Sequence, residues 1–274
     1  FIAIDNILNE KPLPERQKLN VPENTEISLN DMSFWYEEGV KAIDHISMTI
    51  KPGTVTALVG ESGGGKSTVA NLIARFWDVS DGSVTVGGVD VRDLDYSDLM
   101  KHISVVFQDT NLFKMSVAEN VAMYKPDASR KEILEALQQA RCEDILEKLP
   151  NGMDSVIGAK GVYLSGGEMQ RIALARAILK DAPIVLLDEA TAFADAENEY
   201  LIQKALDVLL KGKTVLMIAH RLQTIVHADQ IIVLQKGRIV EQGTHEALMQ
   251  QQGVYAGMYH EYERSVSWRI GGQS

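Results

Sequence analysis

The chain has 274 residues, of which 45% are hydrophobic and 24% are charged, so it is long enough for one large or two modest domains with a buried core. This composition is ordinary for a globular protein and excludes a mainly disordered, collagenous or coiled-coil chain. The formal net charge of −11 repels a phosphate backbone, which argues against nucleic acid as a partner. Cys142 is the single cysteine; it has no internal disulfide partner, so we expect a reducing compartment.

The N-terminal segment does not resemble a signal peptide. Residues 1–24 begin with Phe1 and are rich in charge and proline, without the apolar core of a signal peptide. They are interpreted as the continuation of a longer chain. Across all 274 residues, no run approaches the roughly 18 consecutive apolar residues that span a bilayer, so we expect no direct membrane insertion of the sequence given.

The pattern of apolar residues predicts an α/β fold. Residues 27–36 and 46–50 predict antiparallel strands at the start of the chain. Strands buried on both faces, as in a parallel sheet, are predicted from five apolar runs: TVTALVG, ISVVF, PIVLLD, TVLMIA and QIIVLQ. Helical periods lie between them at residues 66–76, 196–210 and 244–251.

Helical periodicity without an intervening strand run occupies residues 129–149 and 168–179. It predicts a helical subdomain over about residues 109–180, inserted between core strands. The last residues are polar and rich in glycine, which predicts a frayed C-terminal tail. The expected fold class is therefore α/β with a mostly parallel sheet, an N-terminal antiparallel β subdomain and an inserted α-helical subdomain.

A glycine-rich segment follows the first buried strand. Residues 60–68 are GESGGGKST, which fits G-x-x-x-x-G-K-[ST] between a strand and a helix. Backbone N–H groups of such a loop turn toward phosphate oxygens at a helix N-terminus. Lys66 is expected to reach the β- and γ-phosphates, and Ser67 to place its hydroxyl on Mg²⁺; an ordinary glycine turn is the alternative. The candidate phosphate-binding residues are Gly60, Ser62, Gly63, Gly64, Gly65, Lys66, Ser67 and Thr68.

Two carboxylates, Asp188 and Glu189, end the buried run at Leu186-Leu187. Adjacent strand residues point to opposite faces, so the two are expected to divide their roles. Asp188 would hold Mg²⁺ through water, and Glu189 would orient or deprotonate the attacking water. The alternative is an acidic pair that only caps the residues after the strand.

A second anion site is predicted at residues 164–168, LSGGE, here called the signature segment. Ser165 is placed as a helix N-cap, and Gly166 and Gly167 follow it with exposed backbone N–H groups. With Glu168, these residues are the candidates for nucleotide binding in this segment. One nucleotide cannot easily use two helix N-termini of one subunit, so this segment is expected to serve a partner's nucleotide. The alternative is a plain capped helix.

These three segments together resemble the nucleotide-binding domain of ATP-binding cassette (ABC) transporters, over about residues 25–260. The resemblance implies ATP hydrolysis with ATP and Mg²⁺ as cofactors. It also implies that Tyr36 stacks on adenine, that Gln108 touches Mg²⁺ and the attacking water, and that His220 contacts the γ-phosphate. From the residues alone, these three would be an edge-strand aromatic, a strand-end glutamine and a structural histidine.

The resemblance also implies an organisation. Residues 1–24 would be the linker from a transmembrane domain on the same native polypeptide, residues 25–262 the nucleotide-binding domain, and residues 263–274 a tail. Residues 108–121 resemble the segment that docks a coupling helix in exporter-type members. The expected partner is a second nucleotide-binding domain, in a homo- or heterodimer, at the cytoplasmic face of the plasma (inner) membrane.

Two segments depart from the family pattern. Residues 192–195 are AFAD where the family usually has Ser-Ala-Leu-Asp, and residues 158–161, GAKG, lack the glutamate that exporter-type domains often carry. With residues 196–198 (AEN), the first loop looks like those of half-transporters that handle iron-siderophore complexes.

The predicted function is an ATP-hydrolysing motor domain that dimerises around ATP. The alternative, motivated by the altered loop at residues 192–195, is a nucleotide-gated binding module with negligible turnover in an asymmetric heterodimer. A soluble ABC protein of translation or DNA repair would need a second cassette or a long coiled-coil insertion, and this chain has neither.

Overall fold

The computed structural model describes residues 13, 22–37, 39–107, 112–158, 162–188, 196–219 and 221–271. Ten strands are named in that part of the chain: β1 (Ile27–Glu37), β2 (Val40–Ile50), β3 (Val55–Val59), β4 (Asp81–Val86), β5 (Val89–Asp90), β6 (Ile103–Val106), β7 (Ile184–Asp188), β8 (Thr214–Ile218), β9 (Gln230–Gln235) and β10 (Arg238–Gly243). They form two sheets. The first is antiparallel with order β2-β1-β4-β5.

The second sheet has six strands in the order β10-β9-β3-β8-β7-β6. All neighbours pair in parallel except β10, which runs antiparallel to β9 at one edge. The five apolar runs of the sequence are the five parallel strands, so the predicted parallel sheet is confirmed. Because parallel strands end at one edge, the segments that follow β3 and β7 begin at the same edge of the sheet.

The helices in the described residues are α1 (Lys66–Ile73), α2 (Tyr96–His102), α3 (Val117–Ala122), α4 (Arg130–Gln139), α5 (Glu143–Lys148), α6 (Gly166–Lys180), α7 (Ala196–Leu210), α8 (His245–Gln251) and α9 (Val254–Gly271). Four of them, α3 to α6, lie between β6 and β7, which confirms the helical insertion in the fold class. Three helices begin with a capping box, in which a serine and a glutamate three residues later bond each other's backbone N–H. The pairs are Ser116 with Glu119, Ser129 with Glu132, and Ser165 with Glu168.

Three helix boundaries differ from the sequence predictions. The single helix expected at residues 129–149 is divided after α4, where Arg141 has a left-handed φ of 59°. The helix expected to reach residue 76 ends at Ile73, because Arg75 is also left-handed, with φ 54°. At the C-terminus α9 reaches Gly271, beyond the expected start of a frayed tail, since residues 258–270 contain neither glycine nor proline.

The six-stranded sheet separates two hydrophobic cores. Within β3, Ala57 and Val59 belong to the core that includes the helical insertion. Leu58, which lies between them, belongs to the core shared with the antiparallel sheet. All three side chains are fully buried, as expected for a strand covered on both faces. In the described ranges no helix is both long enough and apolar enough to span a bilayer.

Candidate nucleotide-binding site

The loop between β3 and α1 needs glycine at two positions. A Cβ atom at Gly60 would overlap the carbonyl oxygen of Leu234, and the Gly60 φ is +142°. Gly65, the residue before α1, has a φ of +100°, and a Cβ there would lie 2.7 Å from Ile43 Cδ1 and 2.9 Å from the Ala42 carbonyl. Non-glycine residues rarely adopt such backbone angles. The predicted glycine loop is therefore shaped by its contacts with β9 and β2.

Lys66 is the first residue of α1, and its side chain reaches back into this loop. Its side chain is 6% exposed, and its ammonium donates hydrogen bonds of 2.8 Å to the carbonyl oxygens of both Gly60 and Glu61. Burial lowers the pKa of Lys66, and the negative charge of Asp188 opposes that shift. The ammonium thus holds two backbone carbonyls of its own loop, and it can exchange these neutral acceptors for the oxygens of a phosphate.

Ser67 and Asp188 meet at the foot of the loop. The Ser67 hydroxyl donates a 3.2 Å hydrogen bond to Asp188 Oδ2, so the start of α1 and the end of β7 bring together two of the three predicted magnesium ligands. The third, Gln108, lies outside the described residues. Hydroxyl and carboxylate oxygens suit Mg²⁺, which usually combines one or two of them with water and substrate phosphates. No group of three or more His, Cys, Asp or Glu within the described ranges could hold a metal alone. These residues therefore fit a magnesium ion whose remaining ligands come from a nucleotide and water.

Tyr36 lies beside the same loop. Its hydroxyl is 3.1 Å from Thr68 Oγ1, while its side chain stays 52% exposed at the end of β1. An open depression of about 320 Å³ is lined by Tyr36, Ala42, Ser62, Gly63, Gly65, Lys66, Ser67 and Thr68. An exposed aromatic ring next to a phosphate-binding loop is the arrangement that stacking on a nucleotide base requires.

The signature segment forms a capped helix start, as predicted. The Ser165 side chain accepts a hydrogen bond from the Glu168 N–H at 3.3 Å, and Glu168 Oε2 accepts one from the Ser165 N–H at 2.8 Å. The other oxygen of Glu168 accepts from Lys148 at 3.0 Å. Burial opposes ionisation of Glu168, but these donors outweigh it and hold its pKa below the ordinary value. Both carboxylate oxygens are thus engaged within the chain, and a contact between Glu168 and nucleotide stays a prediction.

One cluster behind the signature segment was missed by the sequence analysis. Arg171 is 1% exposed, and its guanidinium bonds both oxygens of Asp144 at 2.6 and 2.9 Å, Asn198 Oδ1 at 3.1 Å, and the carbonyl of Arg141. A Cβ atom added to Gly167 would lie 2.8 Å from Asn198 Cγ. The first turns of α6 and α7 are therefore packed against each other. The available signal was an arginine directly before the apolar run IALA at residues 172–175, within the helix predicted at residues 168–179.

Three of the predicted site residues, Gln108, Glu189 and His220, lie outside the described residues, as do residues 192–195 and 159–161. Their roles stay predictions. The strands that precede the three residues, β6, β7 and β8, are adjacent and parallel. Their carboxyl ends therefore lie at the same sheet edge as the phosphate loop.

The glycine loop, the Lys66 ammonium bonded inside it and the Ser67–Asp188 hydrogen bond lie at one edge of the parallel sheet. This arrangement is typical of proteins that bind a nucleotide through its phosphates. Residues 43–192 match the family described as "ABC transporter". The chain therefore belongs to the ABC transporter family and is one of its ATP-binding, ATP-hydrolysing domains.

Individual relatives extend this result. The chain is 52% identical over 233 residues to the mycobactin import ATP-binding/permease protein IrtA of Mycolicibacterium thermoresistibile, covering 85% of this chain and 26% of that protein. It is 46% identical over 253 residues to the ATP-dependent lipid A-core flippase of Saccharophagus degradans, covering 92% and 43% respectively. A solved structure of a bacterial Atm1-family ABC exporter with ATP bound superimposes with a TM-score of 0.87 at 34% identity, covering 95% of this chain and 46% of the exporter chain. The chain thus spans less than half the length of each of these relatives.

Proposed function

We propose that this domain binds ATP with Mg²⁺ in the depression between Tyr36 and the phosphate loop, and hydrolyses it to drive transport by an attached transmembrane domain. The observation that carries the proposal is the Ser67–Asp188 hydrogen bond at the foot of the loop. It joins a residue of the phosphate loop to the carboxylate that ends β7, as catalysis of phosphoryl transfer requires.

Each site residue receives a role in this proposal. Lys66 exchanges its loop carbonyls for β- and γ-phosphate oxygens, and Tyr36 stacks on the base. Ser67, Asp188 and Gln108 hold the magnesium ion, which when bound neutralises charge on the phosphates. Glu189 orients or deprotonates the attacking water, and His220 contacts the γ-phosphate.

The signature segment completes the site of a second copy or a related domain. Ser165, Gly166 and Gly167 would offer hydrogen-bond donors at a helix N-terminus to the γ-phosphate held by the partner. Three or four charge-assisted bonds at roughly 1.5 to 3 kcal/mol each give about 5 to 10 kcal/mol before opposing terms. Moving a two-state equilibrium from 1:99 to 99:1 requires about 5.5 kcal/mol. The gross energy of the γ-phosphate contacts is therefore comparable in size to the free energy needed to close and reopen a dimer.

The relatives support a proposal for the setting of this domain. IrtA and the lipid A-core flippase are named for transport, and we place this domain at the cytoplasmic face of the plasma (inner) membrane, with a transmembrane domain on the same polypeptide. The 52% identity to a mycobactin importer and the sequence of residues 192–198 (AFADAEN) favour a siderophore as the transported substrate. Stimulation of the full transporter's ATPase by an iron-siderophore rather than by lipid A would support this choice.

The test is the steady-state ATPase rate per chain as a function of protein concentration. A rate per chain that rises with concentration is expected, because each site would be shared by two domains. Glu189→Gln should retain ATP binding and lose hydrolysis, whereas Lys66→Ala should lose both. Lys131→Ala is the matched control, since that lysine is 85% exposed on α4.

Equal hydrolysis by Glu189→Gln would overturn the role of Glu189. Unchanged ATP binding by Lys66→Ala would overturn the site itself. ATP binding with a flat rate at the level of Glu189→Gln would instead support the nucleotide-gated module with negligible turnover that the loop at residues 192–195 motivates.

A further inference from the structure

Three aromatic side chains form a cluster beside the phosphate loop. The rings of Phe34 and Tyr36 are 4.7 Å apart between centroids and nearly perpendicular, at 87°. Tyr36 and Trp77 are 5.5 Å apart at 89°. Phe34 is almost fully buried, whereas Trp77 is 46% exposed. Tyr36 therefore packs edge-to-face against one core residue and one surface residue.

The orientation of the Tyr36 ring depends on these neighbours. The hydrogen bond between its hydroxyl and Thr68 fixes the tip of the side chain. Rotation of the ring about its long axis leaves the hydroxyl in place, so this bond does not fix the plane of the ring. Edge-to-face contacts do fix it, because aromatic pairs prefer defined angles. Stacking on a base depends on that plane.

Trp77 is itself held firmly, in the turn that follows α1. Arg75 supplies a left-handed backbone conformation, and its side chain bonds Asp78 at 3.0 Å. Two residues further on, the Ser80 N–H donates to the carbonyl of Ser33 at 3.0 Å. The turn that carries Trp77 is thus attached to β1, the strand that also carries Tyr36.

We propose that Trp77 is a positioning residue for the nucleotide base: it holds the plane of the Tyr36 ring ready for stacking, without contacting the phosphates. The inference rests on the proposed ATP site. Ordering a side chain in advance reduces the entropy lost on binding, so Trp77 strengthens the part of the affinity that comes from the base.

The test compares ATP with inorganic tripolyphosphate, which lacks a base, by isothermal titration calorimetry on the whole chain with Mg²⁺. In Trp77→Ala the Kd for ATP should rise about 2- to 12-fold, the range that one aromatic pair supports. The Kd for tripolyphosphate should not change. Steady-state hydrolysis should show a raised KM with unchanged kcat, and Trp77→Tyr should restore most of the ATP affinity.

Phe76→Ala is the matched control, because Phe76 is 36% exposed in the same turn and stacks on Phe107. It should leave both Kd values unchanged. Circular dichroism confirms that each variant is folded before binding is measured.

A double-mutant cycle with Tyr36→Ala separates the possible outcomes. If Trp77 acts through Tyr36, adding Trp77→Ala to Tyr36→Ala should weaken ATP binding no further. The inference would be overturned if Trp77→Ala reduced ATP affinity equally in wild type and in Tyr36→Ala. It would also be overturned if Trp77→Ala weakened tripolyphosphate binding as much as ATP binding. If Tyr36→Ala weakens ATP binding and Trp77→Ala does not, the inference fails and the proposed site stands. If Lys66→Ala leaves both ligands bound, the proposed function itself fails.

Discussion

Arg171→Ala, which removes a buried guanidinium, should lower the free energy of unfolding of the domain by about 3 kcal/mol. Loss of one partner of a buried ion pair costs about 3–5 kcal/mol. The Asp144 side chain is 44% exposed, so water can hydrate its carboxylate when the arginine is gone, which places the estimate at the lower end of that range. The carbonyl of Arg141 and the amide of Asn198 also lose a donor. Arg171→Lys should fall between wild type and Arg171→Ala, since lysine keeps the charge without the two-pronged geometry.

The control is a pair with the same chemistry at the surface. Arg130 bonds both oxygens of Asp154 at 2.9 and 2.8 Å, but the two side chains are 67% and 55% exposed. Arg130→Ala should therefore have a much smaller effect. Urea unfolding, followed by fluorescence, measures both free energies of unfolding. Equal destabilisation by Arg171→Ala and Arg130→Ala would refute the reasoning, because burial would then not determine the strength of the pair.

Three further outcomes are expected. Gly60→Ala should unfold or strongly destabilise the domain, because its Cβ would overlap a carbonyl oxygen of β9. At Gly63 a Cβ atom has open space, so Gly63→Ala should cost only the strain of a left-handed backbone, about 1–2 kcal/mol of unfolding free energy. Similar melting temperatures for the two variants would contradict this. The hydrogen bond from Lys125 lowers the pKa of Glu132 from 4.5 to about 2. The ionised carboxylate of Glu132 therefore contributes its full stability above pH 4.5, and this contribution is lost as the pH falls toward 2. In Glu132→Gln, the free energy of unfolding should depend less on pH between 2 and 4.5. Burial raises the pKa of Cys142 to about 12, so a thiol reagent at pH 8 should label the folded chain only after urea is added.

The sequence was sufficient for the features that depend on neighbours along the chain. The parallel strands were predicted from unbroken apolar runs, and the Ser165 cap from a serine placed just before two glycines and a helical run. Both are confirmed because local pattern and tertiary burial agree in these segments. Asp188 ends β7, and Ser67 lies in the first turn of α1, just after the loop that follows β3. Because the parallel strands β3 and β7 end at the same edge of the sheet, the predicted topology brings the two segments close together.

Other features depended on contacts between distant segments. β4 and β10 were not predicted, because their sequences DGSVTV and RIVEQG contain glycine and polar residues and lie in strands that leave many residues partly exposed. The break at Arg141 places a non-glycine residue in a left-handed conformation, and the carbonyl there is bonded by Arg171 from another helix. The contact between Tyr36 and Trp77 joins residues 41 positions apart. No local pattern predicts such pairs.

Successive side chains of β3 point into two different hydrophobic cores, and this limits how the length of the strand can change in evolution. Ala57 and Val59 face one core and Leu58 the other, so insertion or deletion of a single residue in the strand would exchange the two faces. It would also move Lys66 relative to Asp188, which ends β7 in the same sheet. A substitution in β3 alters one buried side chain, whereas a change in its length moves every later side chain of the strand to the opposite core. Insertions and deletions in related sequences should therefore occur in surface loops. The number of residues from β3 to Lys66 should stay constant.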